Sequence, residues 1–242
     1  TLFPYTTLFR SLSDVSFQLE AGESLGIVGE SGSGKTTLAR SVLGLTTADS
    51  GSIVLDGLDI SVYARLNSED SRRARRTVQC VFQDPYSSLN PRHTIGYTLA
   101  EALHHRANAP VDIDAEVELL LDRVGLPASM ARRRPAALSG GQRQRVATAR
   151  ALAVQPRVLV CDEPVAALDV SVQAQVLQLL REVNQDSGTS LLFITHDLGV
   201  VRQVTERIIV LYKGRIVEQG ATDQVLDDPQ HEYTQRLVAA MP

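Results

Sequence analysis

A chain of 242 residues is long enough for one large domain or two intimate ones built on a substantial core. Its 43% apolar and 21% charged content is that of an ordinary globular protein. A net charge of −4 argues against a general attraction to nucleic acid or to an anionic bilayer. No apolar run reaches the roughly 18–20 residues of a membrane-crossing helix, so service to a membrane would require docking on another chain.

Residues 1–11, Thr-Leu-Phe-Pro-Tyr-Thr-Thr-Leu-Phe-Arg-Ser, read like the translation of a sequencing-library adapter and show neither helical nor strand periodicity. They are set aside as a non-native scar. Residues 15–20 alternate like a half-buried strand, and Ala21-Gly22-Glu23 turns it. Residues 24–28 form a short apolar strand that runs into a glycine-rich loop, and 36–45 then read as a helix. Asp56-Gly57 between apolar residues marks a hairpin over 53–60, and 77–82 is a further strand ending at Gln83. From 84 to 156 helical patterns dominate, over 95–105, 112–124 and 141–153. Strand signals return at 158–161, 190–194 and 208–211, alternating with helices such as 171–184, and Lys213-Gly214 reads as a late hairpin turn. Apolar strands alternating with helices predict an α/β fold with a covered parallel sheet. The expected organisation is a single domain over 12–242, with 12–83 and 157–242 as an α/β core and 84–156 as an inserted helical subdomain. Cys80 and Cys161 fall in apolar strand-like runs and read as buried small hydrophobes, not as a disulfide or metal pair.

Gly29-Glu30-Ser31-Gly32-Ser33-Gly34-Lys35-Thr36 matches G-x-x-x-x-G-K-[ST] in full and stands between an apolar strand and a helix, the context that this motif requires. Its glycines let backbone N–H groups wrap a phosphate. Lys35 would reach the β- and γ-phosphates, and the Thr36 hydroxyl would ligate Mg²⁺. Leu138-Ser139-Gly140-Gly141-Gln142 is a second place suited to phosphate, because it opens a predicted helix whose N-terminal amides and dipole favour anions. Ser139 can cap that helix, and Gly140 and Gly141 have no Cβ to hold a phosphate away from the backbone. The strand over 158–161 ends in Asp162 and Glu163. Alone, such a pair is a solvated strand end. Beside a phosphate loop, Asp162 suits Mg²⁺ and Glu163 suits activation of an attacking water. Arg143 and Arg145 follow the second motif and read equally well as supports of interface and fold or as a solvated face. The basic runs at 72–76 and 132–134 lack interleaved aromatics and read as solvated faces. His104 and His105 are adjacent, so they point to different sides of a helix, which argues against a metal site.

Taken together, the two phosphate motifs resemble the ATP-binding cassette (ABC) ATPases. The resemblance covers nearly everything after Leu12. It implies a P-loop NTPase with a RecA-like parallel core, an N-terminal antiparallel β subdomain and an inserted α-helical subdomain. It further implies a head-to-tail dimer, in which each ATP lies between one chain's glycine-rich loop and the partner's Ser139-Gly140-Gly141-Gln142. On that resemblance, ATP meets residues 29–36, Thr37, Gln83 and Asp162 of one chain and Ser139, Gly140, Gly141, Gln142 and Asp169 of the other. Thr36, Gln83 and Asp162 serve Mg²⁺, and Glu163 and His196 serve catalysis. Gln83 matches the Q-loop glutamine, His196 the switch histidine and Ala167-Leu168-Asp169 the D-loop.

Three segments narrow the resemblance to the ATPases of dipeptide and oligopeptide importers, a group that also serves glutathione and nickel: 83–92, 163–177 and the tail around 231–235. The implied partners are a second ATPase subunit, transmembrane permeases and, indirectly, an extracytoplasmic binding protein, with no nucleic acid. The implied location is the cytoplasmic face of the membrane, held peripherally. The alternatives are an exporter cassette, a nucleic-acid-acting ABC ATPase and a degenerate, non-catalytic cassette. The segment 84–92 argues against the first. The absence of a long coiled coil or zinc-spaced cysteines argues against the second. Intact Lys35, Asp162, Glu163 and His196 argue against the third. Ala166 replaces the family's usual Ser, Arg134 a common aromatic, and Ala137 a usual Glu or Gln. The adenine-stacking aromatic of relatives should lie upstream of Val15; Tyr5 and Phe9, inside the scar, are not assigned that role.

Overall fold

The computed structural model describes residues 11–84, 88–166 and 168–240. Six strands form the main sheet among them, in the order β4-β5-β6-β1-β7-β8. These are β1 (Ser24–Val28), β4 (Val78–Val81), β5 (Val158–Asp162), β6 (Ser190–Thr195), β7 (Arg207–Tyr212) and β8 (Arg215–Ala221). All neighbours pair in parallel except β7 and β8, which form the antiparallel hairpin that Lys213-Gly214 predicts. Both turn residues have positive φ, 47° and 77°. Every residue of β1 and β6 is buried, which is why these strands read as unbroken apolar runs and not as alternations.

The hairpin at Asp56-Gly57 is present as β2 (Val54–Leu55) and β3 (Leu58–Asp59), with both turn residues at positive φ as a type I′ turn requires. Residues 15–20 keep the expected alternation of burial but join no ladder among the described residues. Instead of strand pairing, the Gln18 carbonyl takes a hydrogen bond from the Arg207 guanidinium.

Nine helices are described: α1 (Lys35–Val42), α2 (Ser68–Thr77), α3 (Ile95–Leu103), α4 (Ile113–Arg123), α5 (Gly140–Ala153), α6 (Val170–Ser187), α7 (Leu198–Val204), α8 (Thr222–Asp227) and α9 (Glu232–Ala239). Six start on side-chain caps of the usual kind: Asn67, Thr94, Asp112, Ser139, Asp169 and Asp197. α6 ends on Gly188 in the left-handed region. α3, α4 and α5 share one apolar cluster with the sheet, running from Ile95, Leu121 and Val146 to Leu159 and Phe193. A second cluster lies beneath α1 on the sheet, and a third packs α7, α8 and α9 against β1 and β7. The basic run at 72–76 occupies the exposed side of α2, as a solvated face should. Arg73 pairs with Asp56 at 3.4 Å, and Arg76 donates to the His105 carbonyl at 2.9 Å. Cys161 is fully buried and Cys80 partly so; burial pushes the Cys80 thiol up to about 12 and lifts Cys161 well above the ordinary thiol value, which keeps both protonated. No helix of the described residues is long and apolar enough to cross a membrane.

Candidate functional site

Parallel pairing sets the site. β1, β4, β5 and β6 all point the same way, so the residues that follow them emerge along one edge of the sheet. In register, Val28 faces Thr195, Asp162 faces Ile194 and Val81 faces Cys161. The loop at 29–34, the Asp162-Glu163 pair, His196 and Gln83 thus share one rim, although up to about 170 residues separate them in sequence.

The loop is held by backbone geometry that only some residues tolerate. Gly34 has φ 111° and Gly29 φ 151°. A Cβ on Gly29 would stand 2.2 Å from the Leu211 carbonyl oxygen, and one on Gly34 would stand 2.7 Å from the Ser11 carbonyl oxygen. The Gly214 amide donates to the Ser33 carbonyl at 2.9 Å. Lys35 is almost fully buried, with its ammonium folded onto the Gly29 and Glu30 carbonyls at 2.6 and 2.9 Å. Burial draws its pKa below the ordinary lysine value, while Glu163, Asp162 and Glu30 pull it back up. The Ser33 hydroxyl is buried with no hydrogen-bond partner, and a Cβ on Gly32 would meet open space. An orphaned hydroxyl, a buried cation and an open glycine in one loop fit a bound phosphate. Thr36 is exposed at the start of α1, with half-buried Thr37 behind it.

Asp162 and Glu163 close β5. Burial first, then the neighbouring Glu163, lifts the Asp162 carboxyl above its ordinary value; Lys35 and Arg40 oppose this. Glu163 sits at φ 49°, a left-handed conformation that a glutamate adopts only under constraint. Its amide is tied to the Ile194 carbonyl at 2.8 Å, and its Oε1 lies 2.9 Å from His196 Nδ1. His196 is exposed while Glu163 is largely enclosed, so the pair faces solvent through the imidazole. Among the described residues no cluster of three or more His, Cys, Asp or Glu is placed to hold a metal ion.

Ser139 opens α5 with a capping box. Its hydroxyl accepts from the Gln142 amide at 3.3 Å, and the Gln142 side chain accepts from the Ser139 amide at 3.0 Å. The two glycines there differ. A Cβ on Gly140 would come no nearer than 3.9 Å to Leu168, but one on Gly141 would stand 2.3 Å from Val172 Cγ1. Close packing of α5 on α6 therefore demands the second glycine, whatever a phosphate requires. Asp169 caps α6, accepting from the Val172 amide at 3.1 Å and the Ser171 hydroxyl at 2.8 Å. These bonds hold its carboxyl below the usual value. Ala166 is exposed beside it, and Ala167 lies outside the described residues. So do residues 85–87 of the segment after Gln83, and Tyr5 and Phe9.

The ambiguity over Arg143 resolves to structure. It is buried and donates to the Pro135 and Leu138 carbonyls at 2.8 and 2.7 Å, bracing the turn that presents Ser139. Arg145 bonds the Gly125 carbonyl at 3.3 Å and the Gln175 side chain. Two further residues of α5 escaped the sequence reading. Gln144 donates to the Phe82 carbonyl at 3.4 Å and Arg150 to the Ser88 carbonyl, so α5 grips the chain on either side of the Gln83 turn. The only hint in the sequence was the polar pair Gln144 and Thr148, four apart on an otherwise apolar face.

The sequence model of the ABC transporter family matches residues 12–166, well over half of the chain. The chain belongs to the ABC transporter family. The oligopeptide transport ATP-binding protein OppF of Haemophilus influenzae is 43% identical over 235 residues, covering 96% of this chain and 70% of that protein. A putative peptide import ATP-binding protein of Brucella abortus is 48% identical over 236 residues, covering 97% of this chain and 70% of its own length. Among solved structures, the dimeric post-hydrolysis state of the ATP-binding cassette MJ0796 bound to ADP and Pi matches with a TM-score of 0.77 at 30% identity, over 88% of this chain and 90% of that one. The ABC fold thus accounts for the shared rim at the edge of the parallel sheet and for the helices between β4 and β5.

Proposed function

We propose that this cassette binds and hydrolyses ATP to energise an importer of peptides or related small solutes. The observation that carries the reading is the gathering of Lys35, Asp162, Glu163 and His196 on one sheet edge, with Glu163 and His196 2.9 Å apart. The likeness to importer subunits over 96–97% of the chain supports the substrate class.

The residues divide the work. Amides of the 29–36 loop other than those of Glu30 and Ser33, which already bond the Tyr233 hydroxyl and the Glu30 carbonyl, wrap the phosphates, and Lys35 moves from the loop carbonyls to the β- and γ-phosphate oxygens. Mg²⁺, when bound, supplies the charge neutralisation that phosphoryl transfer needs. The Thr36 hydroxyl, the Gln83 side-chain oxygen and Asp162 are the groups of this chain that would hold it. Glu163 accepts the proton of the attacking water at Oε2, because Oε1 is engaged by His196. His196 thereby orients the carboxylate and, being exposed, stands where it can sense the terminal phosphate.

The second anion site of each chain finds its nucleotide in a dimer. The capping box satisfies the Ser139 and Gln142 amides and leaves those of Gly140 and Gly141 as the first-turn donors of α5. Offered in trans with Asp169, they act as an arginine finger does in other NTPases, where loss costs about 10³–10⁵ in rate. The isolated monomer is then a poor ATPase. The partner is a second cassette, identical or paralogous. Closure of the pair drives transmembrane permeases, which receive solute from an extracytoplasmic binding protein, and the cassette works at the cytoplasmic face. The test is Glu163→Gln with Mg-ATP. Gel filtration should show an ATP-dependent dimer and turnover should be lost. A monomer at saturating nucleotide counts against the shared site.

A further inference from the structure

The C-terminal helix reaches the nucleotide loop through one side chain. Tyr233, on the first turn of α9, is 2% exposed, and its hydroxyl accepts the Glu30 amide at 2.9 Å across 203 residues of sequence. Glu30 is the second residue of the glycine-rich loop. We propose that Tyr233 is a positioning residue of the nucleotide site, a latch that holds the loop in its phosphate-binding shape from the far end of the chain. This rests on the reading of 29–36 as the phosphate loop.

Three attachments fix that loop from the same side. The Leu211 carbonyl packs against Gly29, leaving no room for a Cβ. The Gly214 amide donates to the Ser33 carbonyl at 2.9 Å. Both belong to the β7–β8 corner, which is part of the sheet and comes with the fold. The third is Tyr233, which α9 must deliver. Delivery is well built. The Glu218 carboxylate of β8 accepts the Gln230 and His231 amides at 2.8 and 3.0 Å and seats the start of α9. His231 Nδ1 then accepts the Tyr233 amide at 3.1 Å. The Tyr233 ring stacks on Tyr212 with centroids 4.1 Å apart and planes 27° apart, and the Lys213 ammonium stands 5.0 Å from the outer ring's centroid. Two stacked rings and a seated helix start leave the hydroxyl one position, and that position is the loop.

The bond differs from ordinary satisfaction of a buried phenol. A core tyrosine needs only some polar partner. Here the partner is an amide inside the glycine-rich loop itself, at the turn that the Ser33 amide closes on the Glu30 carbonyl at 3.1 Å. A side chain that ties Glu30 fixes the loop without consuming a phosphate-directed donor, and it removes ordering cost before the ligand arrives. The effect should fall on affinity for every nucleotide that uses the loop, ADP and ATP alike, and leave the catalytic step alone.

The test compares the full chain with Tyr233→Phe, which keeps the stacked ring and removes only the hydroxyl. Three quantities are read: ADP and ATP affinity, hydrogen exchange of the Glu30 amide without nucleotide, and kcat at saturating ATP. The latch predicts that both affinities weaken by about 3- to 10-fold, the worth of one ordinary hydrogen bond. Glu30 exchange should accelerate by a comparable factor, with kcat unchanged. A lowered melting temperature with unchanged affinities and unchanged Glu30 exchange makes Tyr233 a core residue and overturns the proposal. If the unmodified chain binds no nucleotide, the phosphate-loop reading itself fails, and Glu30 exchange alone still decides whether the latch exists.

Discussion

Gly141→Ala separates two reasons for a glycine in the α5 entry. The new Cβ would stand 2.3 Å from Val172 Cγ1, where an ordinary contact needs about 3.4–4 Å, so roughly 1 Å of displacement is required. Val172 cannot give by rotation, because a β-branched side chain in a helix has one strongly preferred rotamer. Overpacking of this kind costs about 2–3 kcal/mol, and alanine's better helix propensity returns at most about 1. The net loss of about 1–2 kcal/mol lowers the melting temperature by about 2–8 °C in a chain of this size. The assay is thermal unfolding of four nucleotide-free proteins: unchanged, Gly141→Ala, Val172→Ala and the double variant. Val172→Ala removes the clashing methyl, so adding Gly141→Ala to it should cost nothing or gain up to about 1 kcal/mol, a coupling of about 2–3 kcal/mol. Gly140→Ala is the internal control; with 3.9 Å to its nearest neighbour it should leave the fold unharmed or gain up to about 1 kcal/mol. If Gly141→Ala melts like the unchanged protein, or Val172→Ala fails to rescue it, the glycine is not there for packing and the steric account is wrong.

Two other outcomes follow from the site. Burial and Glu163 hold the Asp162 carboxyl above its ordinary 3.8, so the fold favours the protonated form and bears a penalty once that group ionises. Stability from a raised carboxyl is present below the unfolded value and lost as pH rises through the folded one. Asp162→Asn should therefore raise the nucleotide-free melting temperature near pH 7, and the gain should fade as pH falls through the raised folded value and be gone below the unfolded one. A gain that persists undiminished in acid would contradict the charge argument. Arg143→Met keeps the apolar stem but abandons the Pro135 and Leu138 carbonyls, which should cost about 2–3 kcal/mol in a urea titration. A midpoint unmoved by this change would mean that Arg143 does not brace the turn.

Local chemistry was legible wherever a residue's role is set by its near neighbours in the chain. The glycines of residues 29–34 announced a tight loop, because its positive φ angles need glycine. Asp56-Gly57 and Lys213-Gly214 announced hairpins for the same reason, and Ser139 announced a cap because helix amides need an acceptor. Asp162, Glu163 and His196 could be picked out as residues at strand ends, and parallel pairing explains why such ends converge. Arg143 could not be assigned, because whether a guanidinium faces water or two carbonyls depends on the turn folded against it. Gly141 was read as making room for a ligand, when its nearest obstacle is Val172 on a helix that begins 29 residues later. The strand at 15–20 kept its alternation but not its pairing, since side-chain period reports burial and says nothing of a partner.

The sequence by itself singled out the groups whose chemistry suits phosphate, a metal or a proton, and determined which turns and caps bound the elements, for these properties reside in a residue and its immediate backbone. The tertiary structure alone decided which of those groups meet. The 2.9 Å contact of Glu163 with His196, the grip of α5 on both sides of Gln83 and the reach of Tyr233 to Glu30 all join residues far apart in the chain. Such contacts are fixed by sheet order and helix packing, and no local pattern encodes them.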